Sequence, residues 1–514
     1  MKNIRVRFAP SPTGALHIGG VRTALYNYLL ARKTGGTFIL RIEDTDQTRY
    51  VPGAEEYIIE SLRWLGLEPE EGPGFGGEFG PYRQSDRKEL YGRFARQLVD
   101  SGHAYYAFDS PEELDARREA EKEKGNHNFK YDATVRTAMR NSLSLPPAEV
   151  DRLITTGVPY TIRLKVPQNE TIRIDDLIRG EVSFESNELD DKVLLKADGM
   201  PTYHLANIVD DHLMQITHVI RGEEWLPSTA HHVLLYRSLG WESDMPRFAH
   251  LPLILKPNGK GKLSKRDGVK LGIPVFPLAW EGDSPEDSFT GFREFGFDPR
   301  AVINFLAFLG WNPGTEQELF SVEELAEAFS LERIGKAGAR FDFDKARWFN
   351  QQYLQHSADA ELAKLVRPFL ERHGHSPDEA YLTAVCGLMK ERITVLTDLW
   401  ENGYYFFEEV REYDEKTVQK KWSAERRKPF EDLVDTLRQL PDFQAAAIEA
   451  ATKEFMQRHE LKFGDVLPML RIALSGTLQG PAVFDMMAVL GQERSVERIA
   501  SALQIFEGLI ARSN

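Results

Sequence analysis

The opening segment constrains the fold of this chain more than any other stretch. Ile4, Val6 and Phe8 alternate with Arg5 and Arg7 as on a short strand, Pro10 and Pro12 end it, and Gly14 opens a turn. An apolar-periodic run from Leu16 to Ala31 follows and predicts a helix. Thr37 to Ile42 then reads as a second strand and Gly53 to Leu65 as a second helix. Strands and helices alternating in this way make half of a parallel α/β sheet structure.

The loop between the first strand and helix, A-P-S-P-T-G-A-L-H-I-G-G from Ala9 to Gly20, has its own chemistry. A helix N-terminus offers free N–H groups and a positive dipole end to an anion, His17 in the first turn can donate a hydrogen bond, and Gly19 and Gly20 let a nucleotide approach the backbone. Neither G-x-G-x-x-G nor G-x-x-x-x-G-K-[ST] occurs in this loop, so a dinucleotide fingerprint and a P-loop are not the reading. Far downstream, K-L-S-K-R at Lys262 to Arg266 follows Asn258, Gly259 and Gly261 and predicts a flexible loop whose cations close over phosphates. Alone, such a loop reads as a solvated turn. Paired with the first segment, it points to chemistry on ATP.

These two segments resemble the H-x-G-H and K-M-S-K-S signatures of class I aminoacyl-tRNA synthetases, in the variant forms of bacterial-type glutamyl-tRNA synthetases, with Gly20 in the place of the final His. The resemblance continues through R-I-E-D-T-D at Arg41 to Asp46, G-P-Y-R-Q-S at Gly80 to Ser85 and D-G-M-P-T-Y-H-L-A-N-I-V-D-D at Asp198 to Asp211. V-I-R-G-E-E-W at Val219 to Trp225 and L-R-I-A-L-S-G at Leu470 to Gly476 extend it nearly end to end. It implies a Rossmann-type parallel-sheet catalytic domain with an inserted α+β acceptor-binding domain, followed by an all-α anticodon-binding region. The expected boundaries are 1–102 and 190–226 for the catalytic domain and 103–189 for the insertion. A stem-contact region carrying K-L-S-K-R spans 227–340, and 341–514 is helical, in two subdomains, with periodic stretches at Glu361 to Arg372, Tyr381 to Leu399 and Pro429 to Leu440.

Composition agrees with a large, multidomain enzyme: 514 residues are too many for one ordinary core, and 42% are hydrophobic. No apolar run is long enough for a membrane helix and the start lacks a signal-peptide pattern, so a cytoplasmic protein with no membrane partner is expected. The single cysteine, Cys386, rules out an intramolecular disulfide and any multi-cysteine metal site. Some family members hold a structural zinc through cysteines where this chain reads A-Y-Y-A-F-D-S, Ala104 to Ser110, so no zinc is expected. The formal net charge of −15 argues against indiscriminate binding to nucleic acid but leaves room for local basic surfaces. The candidates are Arg117, Arg118, Lys122 and Lys124, and Lys416, Lys420, Lys421, Arg426, Arg427 and Lys428; solvated helix faces are the equal alternative.

A site selective for glutamate needs an acidic group for the ammonium and cations for two carboxylates. By resemblance, Arg7 and Arg221 are the cations, Glu43 the ammonium partner, and Ala9, Tyr203 and Asn207 further walls. Arg7 on the side-chain carboxylate and Arg221 on the α-carboxylate is the preferred split, with the reverse left open. Tyr203 and Asn207 share a face only if their segment is helical. For ATP the expected residues are Ser11, His17, Gly19, Gly20, Glu224 and Lys265, with backbone groups of Leu253 and Ile254 at the adenine. Catalysis is assigned to His17, Lys262 and Lys265, which would stabilise charge growing on the α-phosphate and pyrophosphate while glutamate forms an adenylate; magnesium enters with ATP. Arg392, in M-K-E-R-I, falls where the family can place an arginine against the last anticodon base. If it does so here the chain charges tRNA(Glu) alone, and otherwise tRNA(Gln) as well. A monomer is expected. The competing readings are an RNA-binding regulator that has lost activation and a ligase for glutamine.

Overall fold

The computed structural model describes residues 3–282 and 284–511. Two compact units divide them: residues up to 292 together with 302–343, and residues 293–301 together with 344 onward.

In the first unit, β1 (Arg5–Phe8) pairs in parallel with β2 (Thr37–Leu40), in the register Arg7↔Ile39. The helix Ile18–Thr34 crosses between them, so the expected strand, loop and helix are all present. The helix contains no proline. It ends at Gly35, whose φ of 62° is the left-handed conformation that closes helix C-termini. β3 (Ala104–Ala107), β4 (Thr161–Leu164) and β7 (Val193–Leu195) form an antiparallel sheet in the order β3-β4-β7.

The other large sheet has the order β6-β5-β9-β8, from β5 (Thr171–Asp176), β6 (Gly180–Glu185), β8 (His218–Gly222) and β9 (Arg247–Leu251). β8 and β9 are parallel, and β5 joins β9 where Asp176 meets Phe248. The segment expected to lie wholly in an insertion therefore extends this sheet. The Thr217 N–H donates to the Arg5 carbonyl at 2.9 Å, bringing β8 alongside β1 and the C-terminal ends of these strands to one edge. One core runs beneath, from Ile39 and Tyr91 through Ile162 and Ile172 to Leu205, Val219 and Phe248.

β10 (Ile254–Leu255) and β11 (Ala339–Arg340) pair in parallel. Between them K-L-S-K-R is more ordered than the flexible loop expected from its glycines. Lys256 and Gly261 close a turn, and Ser264 with Asp267 caps a helix at Lys265–Leu271.

The second unit is helical and packs around Leu362, Val385, Leu433, Met469 and Phe506. The periodicity from Tyr381 to Leu399 does not form one helix. Glu379–Met389 ends in a tight turn at Lys390–Arg392, and Asp398 accepts the N–H groups of Thr394 and Val395 at 2.7 and 3.0 Å, starting Asp398–Gly403 afresh. Apolar spacing survives such a break, because the core needs buried residues from both pieces.

Among the described residues no group of three or more His, Cys, Asp or Glu side chains is arranged to hold a metal ion, and no helix is long and apolar enough to cross a membrane. Cys386 is buried.

Candidate active site

A cleft of about 700 Å³ opens at the C-terminal ends of β1 and β8. It gathers every residue expected at the amino-acid and nucleotide sites: Arg7, Ala9, Ser11, His17, Gly19 and Gly20 from the first segment, Glu43, and Tyr203 with Asn207. Arg221, Glu224, Leu253, Ile254, Lys262 and Lys265 complete it. Arg392 lies elsewhere, exposed on the turn of the helical unit, where its Nη1 donates to the Leu388 carbonyl at 3.3 Å.

His17 is the N-cap of the first helix rather than a residue of its first turn, and its Nδ1 accepts the Gly19 N–H at 3.1 Å. A neutral ring that accepts at Nδ1 carries its proton on Nε2. That Nε2 is buried and has no hydrogen-bond partner among the described residues. Burial, reinforced by Lys262 and Lys265 and opposed by Asp267, pushes the His17 pKa down to about 4, so at neutral pH the ring is an uncharged donor.

The N–H groups expected to be free are not. Ile18 donates to the Val275 carbonyl, Gly19 to His17 Nδ1 and Gly20 to the His17 carbonyl. An anion here meets the helix dipole, His17 Nε2–H and lysines.

The lysines differ. Lys262 Nζ is 2.7 Å from Glu224 Oε1, whereas Lys265 has no carboxylate within ion-pair distance among the described residues. Lys265 Nζ stands over the Phe276 ring at 5.6 Å, and partial desolvation of this otherwise exposed side chain lowers its pKa. His17 meets the same ring edge-on at 5.7 Å. Phe276 therefore brings together two groups separated by most of the unit, and no sequence signal marked it. Leu253 and Ile254 have less open backbone than expected. The Leu253 N–H donates to Glu223 and its carbonyl accepts from Ala339, while the Ile254 carbonyl accepts from Leu263.

At the other end of the cleft the groups are buried and interlocked. Arg7 is an inward residue at 3% exposure, donating Nε and Nη2 to the two carboxylate oxygens of Asp211 at 3.0 and 3.2 Å. Arg41 Nη1 reaches Asp211 at 2.7 Å and its Nη2 reaches Glu43 at 3.0 Å. Burial raises the Glu43 pKa against the opposing pull of Arg41 and Arg7. Asn207 Nδ2 also donates to Glu43, and Tyr203 and Asn207 lie on one helix, Tyr203–Leu213.

Among the described residues Arg221 donates only to neutral acceptors: the Tyr203 hydroxyl at 2.6 Å, His250 Nε2 at 3.0 Å, Thr229 Oγ1 at 2.8 Å and the Trp225 carbonyl at 3.3 Å. Arg87 is held by Asp210, and Arg7 and Arg41 by Asp211 and Glu43. Among the described residues Arg221 is the arginine of this cluster that no carboxylate touches directly; Asp176 stands behind it, bonded to His250 rather than to the guanidinium.

Sequence reasoning missed Asp211, Arg41, Asp176 and His250, although Asp211 ends one quoted motif and Arg41 begins another. The expected basic surfaces are largely self-neutralised. Arg118 pairs with Asp115, Lys122 with Glu119, Arg426 with Asp465 and Lys428 with Asp432.

Comparison with known proteins gives a consistent result. Residues 3–348 match the family model for the catalytic domain of class I tRNA synthetases (E and Q), and residues 361–503 match an anticodon binding domain. The chain is 55% identical over 505 residues to a glutamate–tRNA ligase of Porphyromonas gingivalis, covering 98% of this chain and 99% of the relative. It is 55% identical over 502 residues to a glutamate–tRNA ligase of Flavobacterium johnsoniae, with 98% and 99% covered. A crystal structure of a glutamate tRNA ligase from Elizabethkingia meningosepticum, in complex with its amino acid, superposes with a TM-score of 0.92 at 49% identity, covering 98% of this chain and 99% of that one.

Proposed function

The chain belongs to the glutamate–tRNA ligases of the class I aminoacyl-tRNA synthetases, and we propose that the cleft carries out that family's reaction: ATP-dependent joining of L-glutamate to the 3′ end of tRNA(Glu) through a glutamyl-adenylate, with release of AMP and pyrophosphate. The observation that carries the site assignment is Arg221, buried at 6% exposure with no carboxylate partner among the described residues. A buried guanidinium without a counter-ion is costly unless an anion arrives. A carboxylate of glutamate supplies the direct anionic contact that the protein does not give Arg221.

Glutamate lies with its ammonium at Glu43 and Asn207 and its carboxylates at Arg221 and at the Nη1 of Arg7, the part of that guanidinium not turned to Asp211. Ala9, Tyr203 and the aromatic wall at Trp225 enclose it. Glutamine has a neutral amide in place of one carboxylate and leaves one of the two arginines without an anionic partner, so discrimination rests on electrostatics rather than size.

ATP takes the end bounded by Ser11, His17, Gly19, Gly20, Glu224, Leu253, Ile254, Lys262 and Lys265. The α-carboxylate oxygen attacks the α-phosphorus, the bond to the β,γ-pyrophosphate breaks, and the negative charge that builds up is met by His17 Nε2–H and Lys265. Lys262 joins them when ATP draws it from Glu224. No protein nucleophile is needed, so catalysis consists of positioning and charge stabilisation. Every carboxylate lining the cleft already accepts from protein donors, Glu43 from Arg41, Asp44 from Ser85, Asp46 from Thr48 and Glu224 from Lys262. Magnesium accordingly arrives on the ATP phosphates. The single, buried Cys386 supports a protein without cysteine-bound zinc. The domain boundaries of the sequence reading, except that the 103–189 segment shares a sheet with β8 and β9, complete the proposal together with anticodon binding in the helical region, a monomer, and a cytoplasmic location.

The test is charging of purified tRNA(Glu) and tRNA(Gln), each alone, with labelled glutamate and ATP. Charging of tRNA(Glu) only makes the enzyme discriminating, and charging of both makes it non-discriminating. A folded protein that charges neither sinks the assignment.

A further inference from the structure

Arg221 has an anchor behind it that the substrate reading does not use. On β8 and β9, Arg221 and His250 are register partners, and Asp176 on β5 pairs with Phe248, two residues before His250. Side chains two apart on a strand share a face, so three adjacent strands bring Asp176, His250 and Arg221 into one row. Asp176 and His250 are 2% and 0% exposed. Asp176 Oδ1 accepts the backbone N–H groups of Ile178, Arg179 and His250 at 3.0, 2.8 and 3.3 Å, which locks the carboxylate. Its Oδ2 lies 2.6 Å from His250 Nδ1. A carboxylate only accepts, so Nδ1 holds the proton and Nε2 keeps a lone pair, which takes the Nε–H of Arg221 at 3.0 Å.

We infer that Asp176 and His250 are a positioning pair: Asp176 selects the imidazole tautomer, and the bare Nε2 holds the Arg221 guanidinium in the plane in which it receives the substrate carboxylate. The inference rests on the reading of Arg221 as a carboxylate-binding group.

A carboxylate in the place of His250 would orient Arg221 equally well, but as a direct ion pair it would compete with glutamate for the guanidinium. A neutral imidazole orients without that competition. The groups facing His250 keep it neutral: Arg221 from β8, the Thr229 hydroxyl at 3.3 Å, and Arg179, whose Nε donates to the His250 carbonyl. Burial, with Arg221 and Arg179, holds the imidazole pKa below its ordinary value against the pull of Asp176.

Asp176→Asn tests the pair. The new amide presents an N–H to Nδ1, the proton moves to Nε2, and two donors then face each other at Arg221. In pyrophosphate exchange with tRNA present, the glutamate KM should rise about 10-fold or more while the ATP KM stays within about two-fold. The double variant Asp176→Asn with His250→Gln should recover part of the glutamate KM, because a glutamine oxygen can accept from Arg221 whatever stands at 176. A parallel rise in both KM values, or a double variant worse than Asp176→Asn, would mark the pair as merely structural and overturn the inference. Imidazole ¹⁵N shifts of the full-length wild type supply a second readout that needs no variant to fold: His250 protonated on Nδ1 is expected, and protonation on Nε2 refutes it. Arg221→Gln separates the two levels. If it leaves the glutamate KM unchanged, the substrate reading itself fails; if it raises the KM while Asp176→Asn does not, only the positioning pair fails.

Discussion

Arg7 and Asp211, 204 residues apart in the chain, meet in a buried ion pair with two hydrogen bonds at the C-terminal end of the first strand. Asp211 shares its Oδ1 with Arg41. Arg7→Ala therefore has two effects. It should weaken glutamate use far more than ATP use, and by leaving a buried carboxylate short of a partner it should cost about 3 kcal/mol of stability or less, since Arg41 remains. Pyrophosphate exchange at varied glutamate and varied ATP, alongside a urea titration, measures both. Equal losses for the two substrates would reject the pocket assignment.

Lys265 is exposed at the start of its helix and no carboxylate pairs with it among the described residues, so its removal should leave the fold intact. Lys265→Ala should lower the adenylation rate by roughly 10²-fold, on the order of 3 kcal/mol in the transition state. A near-normal rate with unchanged thermal stability would take Lys265 out of the mechanism.

Gly14 has a φ of +131°, and a Cβ there would stand 3.2 Å from Lys265 Nζ. Gly14→Ala strains the turn and displaces the ammonium, and a misplacement of about 1 Å can cost about 10²-fold. The expected outcome is an adenylation rate reduced toward that of Lys265→Ala, with little further loss in the double variant. Additive losses would show that the glycine acts elsewhere.

Burial holds His232 and His250 below the ordinary histidine pKa of 6.5. Their folded-state pKa values are depressed, so the unfolded chain takes up protons near pH 6.5 that the folded chain refuses. Stability is present above that pH and drains as the pH falls, with a limiting slope of about 1.4 kcal/mol per pH unit for each such histidine until its folded-state pKa is reached. Thermal unfolding at about pH 7.5 and about pH 5.5 should show the loss, whereas the adenylation step should show no inflection near 6.5, because His17 stays neutral to about 4. An inflection there, absent from a His17 variant, would contradict the neutral-donor role.

Arg392 is exposed, and among the described residues its hydrogen bond is to the Leu388 carbonyl. Arg392→Gln should leave adenylation and stability unchanged and reduce charging of tRNA(Glu) by about 1–3 kcal/mol in kcat/KM if the arginine reads a base edge. Unchanged charging would return it to the role of a solvated surface residue.

Much of the candidate site was legible because its residues lie in short runs whose spacing carries the chemistry: a histidine at the start of a helix, a lysine pair after glycines, a tyrosine and asparagine four apart. The fold class was legible for the same reason, since alternation and helical period repeat locally. What the sequence overstated was also local. K-L-S-K-R looked like a loop because Asn258, Gly259 and Gly261 precede it, and the capping ability of Ser264 and Asp267 was outweighed. Tyr381 to Leu399 looked like one helix because apolar period does not register where Asp398 interrupts it.

The sequence by itself determined which residues carry charge, the alternation of strand and helix at the start of the chain, and which family of chemistry the motifs serve, because these depend on neighbours a few residues apart. Only the tertiary structure decided which of those charges are spent. Arg7 and Arg221 are alike as letters in the chain. Asp211 on a distant helix neutralises much of the first, while His250, brought beside Arg221 by strand register, leaves the second charged and oriented. Ion pairing falls off over a few ångströms, so the partner, and with it the function of each arginine, is set by contacts that sequence separation does not encode.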